Sequence, residues 1–280
     1  MLLFFNHMLL LAANDNFPMG ARALGMGNAA VANEDVWSHF NNVAGTARLD
    51  KLHFSSFAER RYNFSAFDRV AAVGAVPLSL TPVKYGCGSF ALHRLGNEYY
   101  NETRLNAGYA HNIMGVNLGI QLEYAQVAIQ EWGSKGNLII NFGGQVQITK
   151  HLRFGAHIYN ISQAKIAVYE DERVPTIMKA GLSYSPSKSL MLNCEVEKDI
   201  EKQTRFKAGV EYVLIEKIFL RTGINVNPEK YFFGMGFTNK QLSIGYAVTV
   251  HQQLGLCHAL GLGFTFHSRK LPQATSAAKE

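Results

Sequence analysis

Charged residues are scarce in this chain. Asp, Glu, Lys and Arg make up 17% of its 280 residues, against about 25% in soluble globular domains, which is too little charge for an ordinary solvated surface. Cysteine is also scarce: Cys87, Cys194 and Cys257 form no CxxC pair and are odd in number, which favours packed free thiols over a disulfide framework. The sequence has no linker rich in Pro, Gly or Ser, so a single folded domain is expected.

Long apolar runs are absent too. No window reaches the roughly 18 consecutive apolar residues that a membrane-spanning helix needs. The 27 Lys and Arg residues exceed the 21 Asp and Glu residues, but they are scattered and form no basic stripe with aromatics, which excludes a nucleic-acid partner. We interpret them as loop and lumen charge, with contact to anionic lipid headgroups as the alternative.

What the sequence does have is alternation. From Lys51 onward apolar residues recur at every second position, which is the period of a β-strand. In residues 115–124, for example, Val116, Leu118 and Ile120 alternate with Asn117, Gly119 and Gln121. The pattern predicts fourteen strands, near residues 51–60, 66–76, 84–93, 102–111, 114–127, 137–148, 151–161, 175–185, 189–197, 203–213, 217–226, 230–238, 240–251 and 258–267.

The composition of the two strand faces predicts which face is outside. The polar face is rich in Gly, Asn, Gln, Ser and Thr, whereas a solvated exterior carries many Lys and Glu residues. A closed barrel of this many strands encloses more space than apolar inward side chains can fill. We therefore predict an all-β fold, a 14-stranded antiparallel transmembrane β-barrel with its apolar face toward outer-membrane lipid and an N-terminal plug segment.

The connections between the strands predict the orientation. Brief turns follow the fourth, sixth, eighth, tenth and twelfth strands, and longer stretches follow the third, fifth and seventh. Outer-membrane barrels have brief periplasmic turns and longer external loops, so both termini are expected in the bacterial periplasm.

Four parts are expected along the chain. Residues 1–13 have the apolar core and small-residue end of a signal peptide, with cleavage after Ala13. Residues 14–50 form the plug segment, 51–267 the barrel, and 268–280 a flexible periplasmic tail.

The predicted plug segment keeps neither the strand period nor the helix period across residues 20–47. A Gly- and Ala-rich irregular segment can fold inside a barrel, where its polar groups meet lumen partners. Residues 33–40 predict one or two helical turns, capped by Asn33 or Asp35. The alternative is a disordered periplasmic arm, against which six residues argue for burial: Met19, Leu24, Met26, Val36, Trp37 and Phe40.

The same segment resembles the amino-terminal region of the fatty-acid transporter-like (FadL-like) outer-membrane barrels, especially the PorV/PorQ-type proteins of the type IX secretion system. Those proteins show a G-A-R-A-x-G-M-G run followed by Asn-Pro-Ala-Gly, and this chain has Val43 in place of that proline. Segments in the carboxyl half, such as "EVEKDIEKQTRFKAGVEY", also resemble the closing strands of the group. The plug residues that match are Gly20, Ala21, Arg22, Ala23, Gly25, Met26, Gly27, Asn42, Ala44 and Gly45.

Charged residues on the polar face are a second candidate site. By strand parity they point into the lumen, where they can bind the plug, line a water path or stay solvated. We favour structural pairing over substrate recognition. The set comprises Arg153, Lys179, Glu195, Glu197, Arg205, Lys207, Glu211 and Arg221.

Enzyme signatures are missing from the sequence. It has no GxSxG, HExxH or P-loop motif, and "GARALGMG" neither follows a strand nor opens a βαβ unit. His251 and His258 flank the last external loop without further metal ligands. We therefore predict a non-enzyme without metal or cofactor.

Three functions stay open at this point. The resemblance implies a component of type IX protein secretion and cell-surface attachment, with secretion components or cargo proteins as partners. The alternative is a FadL-like channel for a hydrophobic ligand. An outer-membrane hydrolase is the third possibility, although no lipid-facing Ser and His pair is identified.

Overall fold

The computed structural model describes residues 18–78, 86–164, 173–200 and 202–266. The predicted signal peptide, the first four residues of the predicted plug segment and the predicted tail lie outside these ranges. Among the described residues, none belongs to a helix that is both long and apolar enough to cross a membrane.

Fourteen strands close into one barrel. Each strand is antiparallel to the next along the chain, and the last one pairs with the first, which confirms the predicted closed 14-stranded antiparallel barrel. The strands are β1 (Leu52–Arg60), β2 (Arg69–Leu78), β3 (Gly86–Gly96), β4 (Tyr100–Ile113), β5 (Val116–Ile129), β6 (Gly133–Gln147), β7 (Leu152–Tyr159), β8 (Ile177–Ser187), β9 (Leu190–Asp199), β10 (Arg205–Ile215), β11 (Ile218–Val226), β12 (Lys230–Thr238), β13 (Leu242–His251) and β14 (Gly255–Phe266).

The apolar face of these strands points outward. In β5, Ile120 and Leu122 are 49% and 48% exposed, whereas Gln121 and Glu123 between them are 3% and 4% exposed. The same alternation is found in β14, where Leu262 and Phe264 are exposed and Ala259 is buried. Because successive side chains of a strand point to opposite faces, each strand contributes an apolar stripe to the exterior, and its alternate residues face the lumen.

Two of the predicted long connections are wrong. The stretches after the third and fifth strands were expected to be loops, but the turns there are only residues 97–99 and 130–132. The antiparallel ladders continue to Gly96↔Asn101 and to Ile129↔Gly133. Strand pairing extends beyond the apolar belt here, so polar residues that are typical of loops remain in the sheet. The connection after β7 spans residues 160–176, of which 165–172 lie outside the described ranges.

Residues 18–50, hereafter the lumen segment, lie against the inward faces of the strands. The segment contains helix α1 (Ala21–Gly25), helix α2 (Ser38–Asn41) and a 3₁₀ turn at Val43–Thr46. Helix α1 packs on β11–β14, and the 3₁₀ turn packs on β4–β6. The predicted helical turn is α2, but neither candidate cap is at its N-cap position, which is Trp37 without a side-chain cap bond. The Asp35 carboxylate accepts a hydrogen bond from Ser38 N at 3.1 Å just before the helix.

A lipid-facing exterior has a measurable consequence. In a phospholipid bilayer, Ile120→Arg is expected to destabilise the barrel by about 2–4 kcal/mol, because it places a charge at the middle of the apolar belt. The measurement is urea unfolding of the protein in vesicles. Met114→Arg is the matched control, because Met114 is fully exposed in the β4–β5 turn. Equal unfolding midpoints for both variants would contradict a lipid-facing belt.

Candidate functional site

The inner wall of the barrel carries glycines that face each other across neighbouring strands. Five such pairs occur around the barrel. In one, Gly236↔Gly245, a Cβ atom on Gly236 would meet Arg221; the other four are Gly119↔Gly143, Gly155↔Gly181, Gly209↔Gly223 and Gly245↔Gly261. Each pair leaves a patch of wall without side chains, so another backbone can approach it closely. We call these four pairs the glycine seats.

The lumen segment occupies all four seats. A Cβ atom built on Gly209 would lie 2.7 Å from Met26 Cβ, and one built on Gly119 would lie 2.7 Å from Ala44 N. At the fourth seat the fit is looser, since a Cβ atom on Gly261 would lie 3.4 Å from Ala21 Cβ. Apart from this last position, contacts this short leave no room for a side chain. The inner wall and the lumen segment therefore fit closely against each other at the glycine seats.

Residues 29–33, hereafter the lumen loop, are held through their backbone by barrel side chains. Glu195 Oε2 accepts hydrogen bonds from Ala30 N and Val31 N, both at 2.8 Å. These two hydrogen bonds replace the water that would otherwise solvate the backbone of the loop. Because the acceptor is a charged carboxylate, they are stronger than hydrogen bonds between neutral groups. Carbonyls of the loop accept from Asn193 (Ala29 O, 2.7 Å), Gln145 (Val31 O, 3.0 Å; Asn33 O, 2.9 Å) and Arg153 (Ala32 O, 3.1 Å).

Arg22 forms the main ion pair between the segment and the wall. Its Nε and Nη2 atoms donate to the two carboxylate oxygens of Glu211 at 2.9 and 2.7 Å, and Nη1 donates to Asp35 at 3.2 Å. Arg221 donates to the same Glu211 carboxylate at 2.6 Å. A bidentate arginine–carboxylate pair fixes orientation as well as position, so this cluster orients α1 on the wall.

Four of the predicted lumen charges form a cluster of their own. Glu197 accepts from Lys207 at 2.6 Å and from Arg205 at 2.9 Å, and Lys179 lies 3.9 Å from it. Lys207 also donates to Glu195 at 2.7 Å, which links this cluster to the carboxylate under the lumen loop. The eight predicted charges thus fall into three that bind the segment directly (Arg153, Glu195, Glu211), one that pairs with Glu211 (Arg221), and this cluster.

Several polar residues that bind the segment were not singled out from the sequence. Gln121 Nε2 lies 2.9 Å from both the carbonyl and Nε2 of His39, and His39 Nδ1 lies 2.7 Å from Ser89 Oγ. Burial lowers the pKa of His39 to about 3, so the imidazole is neutral at neutral pH and fits between an amide donor and a hydroxyl. Strand parity places Gln121 and Ser89 in the lumen, but parity alone does not identify the partner.

A second ion-pair cluster was also missed. Arg104 pairs with Glu102 at 3.0 Å and with Glu123 at 3.4 Å, and Tyr159 donates to Glu123 at 3.0 Å. These residues have the inward parity of their strands, so the signal that predicted the other charges applied to them equally. Arg104, Glu123 and Tyr159 line a small cavity together with Met19 and Phe40 of the segment.

The inner wall also has an apolar part. Trp37 and Phe40 of the segment pack on it, together with Met19, Leu24 and Val36. The wall residues, hereafter the apolar strip, come from β1–β3, β13 and β14: Phe57, Ala71, Val73, Ala75, Cys87, Ala91, Ala247 and Ala259. Hydrogen bonds and ion pairs therefore hold the segment mainly on one side of the lumen, and apolar packing holds it mainly on the other side.

The residues of the predicted plug motif lie within this arrangement. Gly20 and Gly27 have left-handed backbone conformations, with φ of 99° and 67°, which favour glycine. The Asn42 amide donates to Val31 O at 2.7 Å and to Gly144 O at 3.2 Å. Val43, which replaces the expected proline, is fully buried at the start of the 3₁₀ turn. Among the described residues, no group of three or more His, Cys, Asp or Glu side chains could hold a metal ion.

Comparison with known proteins finds solved structures of similar fold. No family model and no curated protein matches the chain. The toluene transporter TbuX of Ralstonia pickettii is similar in structure with a TM-score of 0.71 at 11% identity, covering 89% of this chain and 98% of that one. The CymD monoaromatic hydrocarbon channel has a TM-score of 0.71 at 10% identity, covering 91% and 100%. A Pseudomonas aeruginosa FadL homologue has a TM-score of 0.55 at 11% identity, covering 88% and 97%. The chain therefore shares its fold with these barrels.

The fit at the glycine seats is testable. Gly209→Ala is expected to cost about 1–3 kcal/mol through overpacking, because its Cβ would collide with Met26. In a Trp132→Phe background, which leaves Trp37 as the chain's single tryptophan, displacement of the segment should shift the fluorescence to longer wavelength. Gly74→Ala is the matched control, since its nearest contact would be His53 O at 3.9 Å. An unchanged Gly209→Ala spectrum with an unchanged unfolding midpoint would argue against the seats.

Proposed function

We propose that this chain is an outer-membrane channel for small hydrophobic molecules and that the lumen segment is its gate. The observation that supports the proposal most is the apolar strip, which lies on an otherwise polar and charged inner wall and is covered by Trp37 and Phe40 of the segment. The fold supports it as well, because the similar structures are described as transporters or channels of toluene and monoaromatic hydrocarbons.

The apolar outer surface of the barrel supports a location in the outer membrane. Its apolar residues, about half exposed on strand after strand, would lie in hydrocarbon, and closure of the barrel leaves no unpaired edge there. The end with the two-residue turns Met114–Gly115 and Lys188–Ser189 would face the periplasm, as in other outer-membrane barrels. Since the segment enters β1 and β14 ends at that same end, both termini would be periplasmic.

The apolar strip would be the path of the solute. An uncharged hydrophobic molecule is poorly accommodated beside buried ion pairs, where it would remove solvation without offering hydrogen bonds. Beside Phe57, Val73 and the wall alanines it gains apolar contact instead. The path is occupied in this structure by Trp37 and Phe40, so the segment must shift before a solute can pass.

The two sides of the segment would respond differently to a solute. On the polar side, separation takes Arg22 from Glu211 and two backbone donors from Glu195, so these buried carboxylates keep only their wall partners Arg221 and Lys207, which is destabilising. On the apolar side, a hydrophobic solute can replace the contacts that Trp37 and Phe40 give up. The segment would therefore pivot about its polar contacts and open along the apolar strip.

The secretion role expected from the sequence resemblance stays a prediction. The similar structures favour the small-molecule alternative, and the comparisons provide no support for a PorV/PorQ-type assignment.

Locking the segment to β14 at the fourth glycine seat, beside the apolar strip, tests the gate. Ala21→Cys with Gly261→Cys, in a background where Cys87, Cys194 and Cys257 are Ala, brings two Cβ atoms to about the separation found in disulfides. Oxidised cells should take up radiolabelled toluene no faster than cells without the protein, and reduction should restore uptake. The two single-cysteine variants are the controls and should be insensitive to oxidation.

Two outcomes would count against the proposal. Uptake that is equally fast in the oxidised and reduced double variant would exclude gating by the segment. A reduced variant that takes up no toluene but co-purifies with exported proteins and secretion components would instead favour the secretion role.

A further inference from the structure

The small cavity beside Arg104 lies where the polar part of the inner wall meets the apolar strip. Its wall side is polar, with His93, Arg104 and Glu123 among the lining residues, and its segment side is formed by Met19 and Phe40. Phe40 also packs on the clusters that contain the strip, so the same ring touches both the cavity and the strip. A shift of Phe40 would therefore open the cavity toward the proposed solute path. We call it the border cavity.

Two side chains at or next to the border cavity have hydrogen-bonding atoms without a partner. His93 is 2% exposed and Asn106 is 4% exposed. Within the described ranges, neither His93 Nε2 nor the oxygen or nitrogen of the Asn106 amide has a hydrogen-bond partner. Buried polar groups are paired in the great majority of cases, because an unpaired one loses its hydration without compensation. These atoms therefore mark a place where a polar group of a ligand can bind.

The two unpartnered side chains lie directly beside the apolar strip. In the β3–β4 ladder Asn106 pairs with Ala91, two residues from His93, and His93 pairs with Ala71 of β2. Both alanines belong to the strip. His93 and Asn106 are diagonal neighbours on one face of the sheet, about 7–8 Å apart, so one small polar group can reach both of them from an apolar body on the strip.

We propose that the border cavity binds the hydroxyl group of a small hydrophobic alcohol or phenol whose apolar body lies on the apolar strip. This inference rests on the proposed channel function and specifies a polar group that its solute carries. A hydroxyl both donates and accepts a hydrogen bond, so it fits either neutral tautomer of His93 and the amide of Asn106. An analogue without the hydroxyl leaves these buried atoms unpaired, which discriminates against it.

The charges at the border cavity favour an uncharged polar group over an ionised one. Arg104 pairs with two carboxylates, Glu102 at 3.0 Å and Glu123 at 3.4 Å. An anionic head group would therefore meet two like charges and one guanidinium, which is repulsive. An ammonium group would have to compete for Glu123 with Arg104 and with the Tyr159 hydroxyl, which donates to it at 3.0 Å. A neutral hydroxyl meets neither obstacle.

Solute binding to the full-length protein in phospholipid vesicles tests this inference. Equilibrium dialysis of radiolabelled p-cresol and toluene, which differ by one hydroxyl group, gives both dissociation constants after subtraction of protein-free vesicles. His93→Leu should weaken p-cresol binding about tenfold, the effect of one hydrogen bond to a buried group, and should leave toluene binding unchanged. Cyclohexanol and cyclohexane should show the same difference, because the hydroxyl group and not the ring is recognised.

His157→Leu is the matched control. His157 is also 2% exposed on the inner wall and has an unpartnered ring nitrogen, but it pairs with Lys179 in the β7–β8 ladder, away from the border cavity. Its replacement should change neither dissociation constant. His93→Gln keeps a donor and an acceptor and should retain the preference for the hydroxyl. If His93→Leu loses heat-modifiable migration, Asn106→Leu provides the same test in a folded barrel.

The outcomes separate this site from the channel function. If the folded leucine variant binds p-cresol with unchanged affinity, or loses p-cresol and toluene equally, the inference is wrong, while toluene binding to the wild-type protein still supports the channel. Binding of neither solute to the wild-type protein would overturn both. The disulfide lock gives an independent result: a selective loss of p-cresol binding together with uptake that is insensitive to oxidation would remove the gate but keep the site.

Discussion

The constraint on which this structure depends is the volume of a fourteen-stranded barrel. A barrel this wide encloses more space than its own inward side chains fill, and an unfilled lumen would leave the polar inner wall to water. In this chain the lumen segment takes that space. Its backbone rests on the glycine seats, and its free N–H and C=O groups meet Glu195, Gln145 and Asn193 on the wall. The inner wall and the lumen segment therefore depend on each other for their polar contacts and their packing.

The lumen segment is held by different kinds of contact on the two sides of the lumen. Ion pairs and side-chain hydrogen bonds hold the segment on the side of β5–β11, where Arg22 forms a bidentate pair with Glu211 and Arg153 pairs with Glu34. On the side of β1–β3, β13 and β14 the contacts are mainly apolar, with polar contacts from Arg69 to the Pro18 carbonyl at 3.3 Å and between His39 and Ser89 at 2.7 Å. Polar contacts lose their partners when they separate, whereas apolar contacts are restored by any hydrophobic molecule of suitable size. The proposed gate for hydrophobic solutes would depend on this asymmetry.

The barrel itself was predictable from the sequence, and its interior much less so. A period of two residues identifies all fourteen strands and their outward faces, since every strand repeats the same signal. The turns at 97–99 and 130–132 were missed because polar residues outside the apolar belt look like loops even when the ladder includes them. Parity identified charges such as Glu195 and Arg153 as inward, but parity gives the face of a residue and not its height or partner. The glycine seats depend on strand register, so Gly209 could not be matched with Gly223 before the pairing was known.

The role of the segment can be measured directly by conductance in planar lipid bilayers. The account predicts that the full chain shows almost no ionic conductance, and that a variant lacking residues 20–47 shows stable open-channel steps, because the polar lumen then fills with water. The deletion variant must retain heat-modifiable migration as evidence of a folded barrel. Equal conductance of the full chain and the folded deletion variant would contradict the claim that this segment closes the lumen.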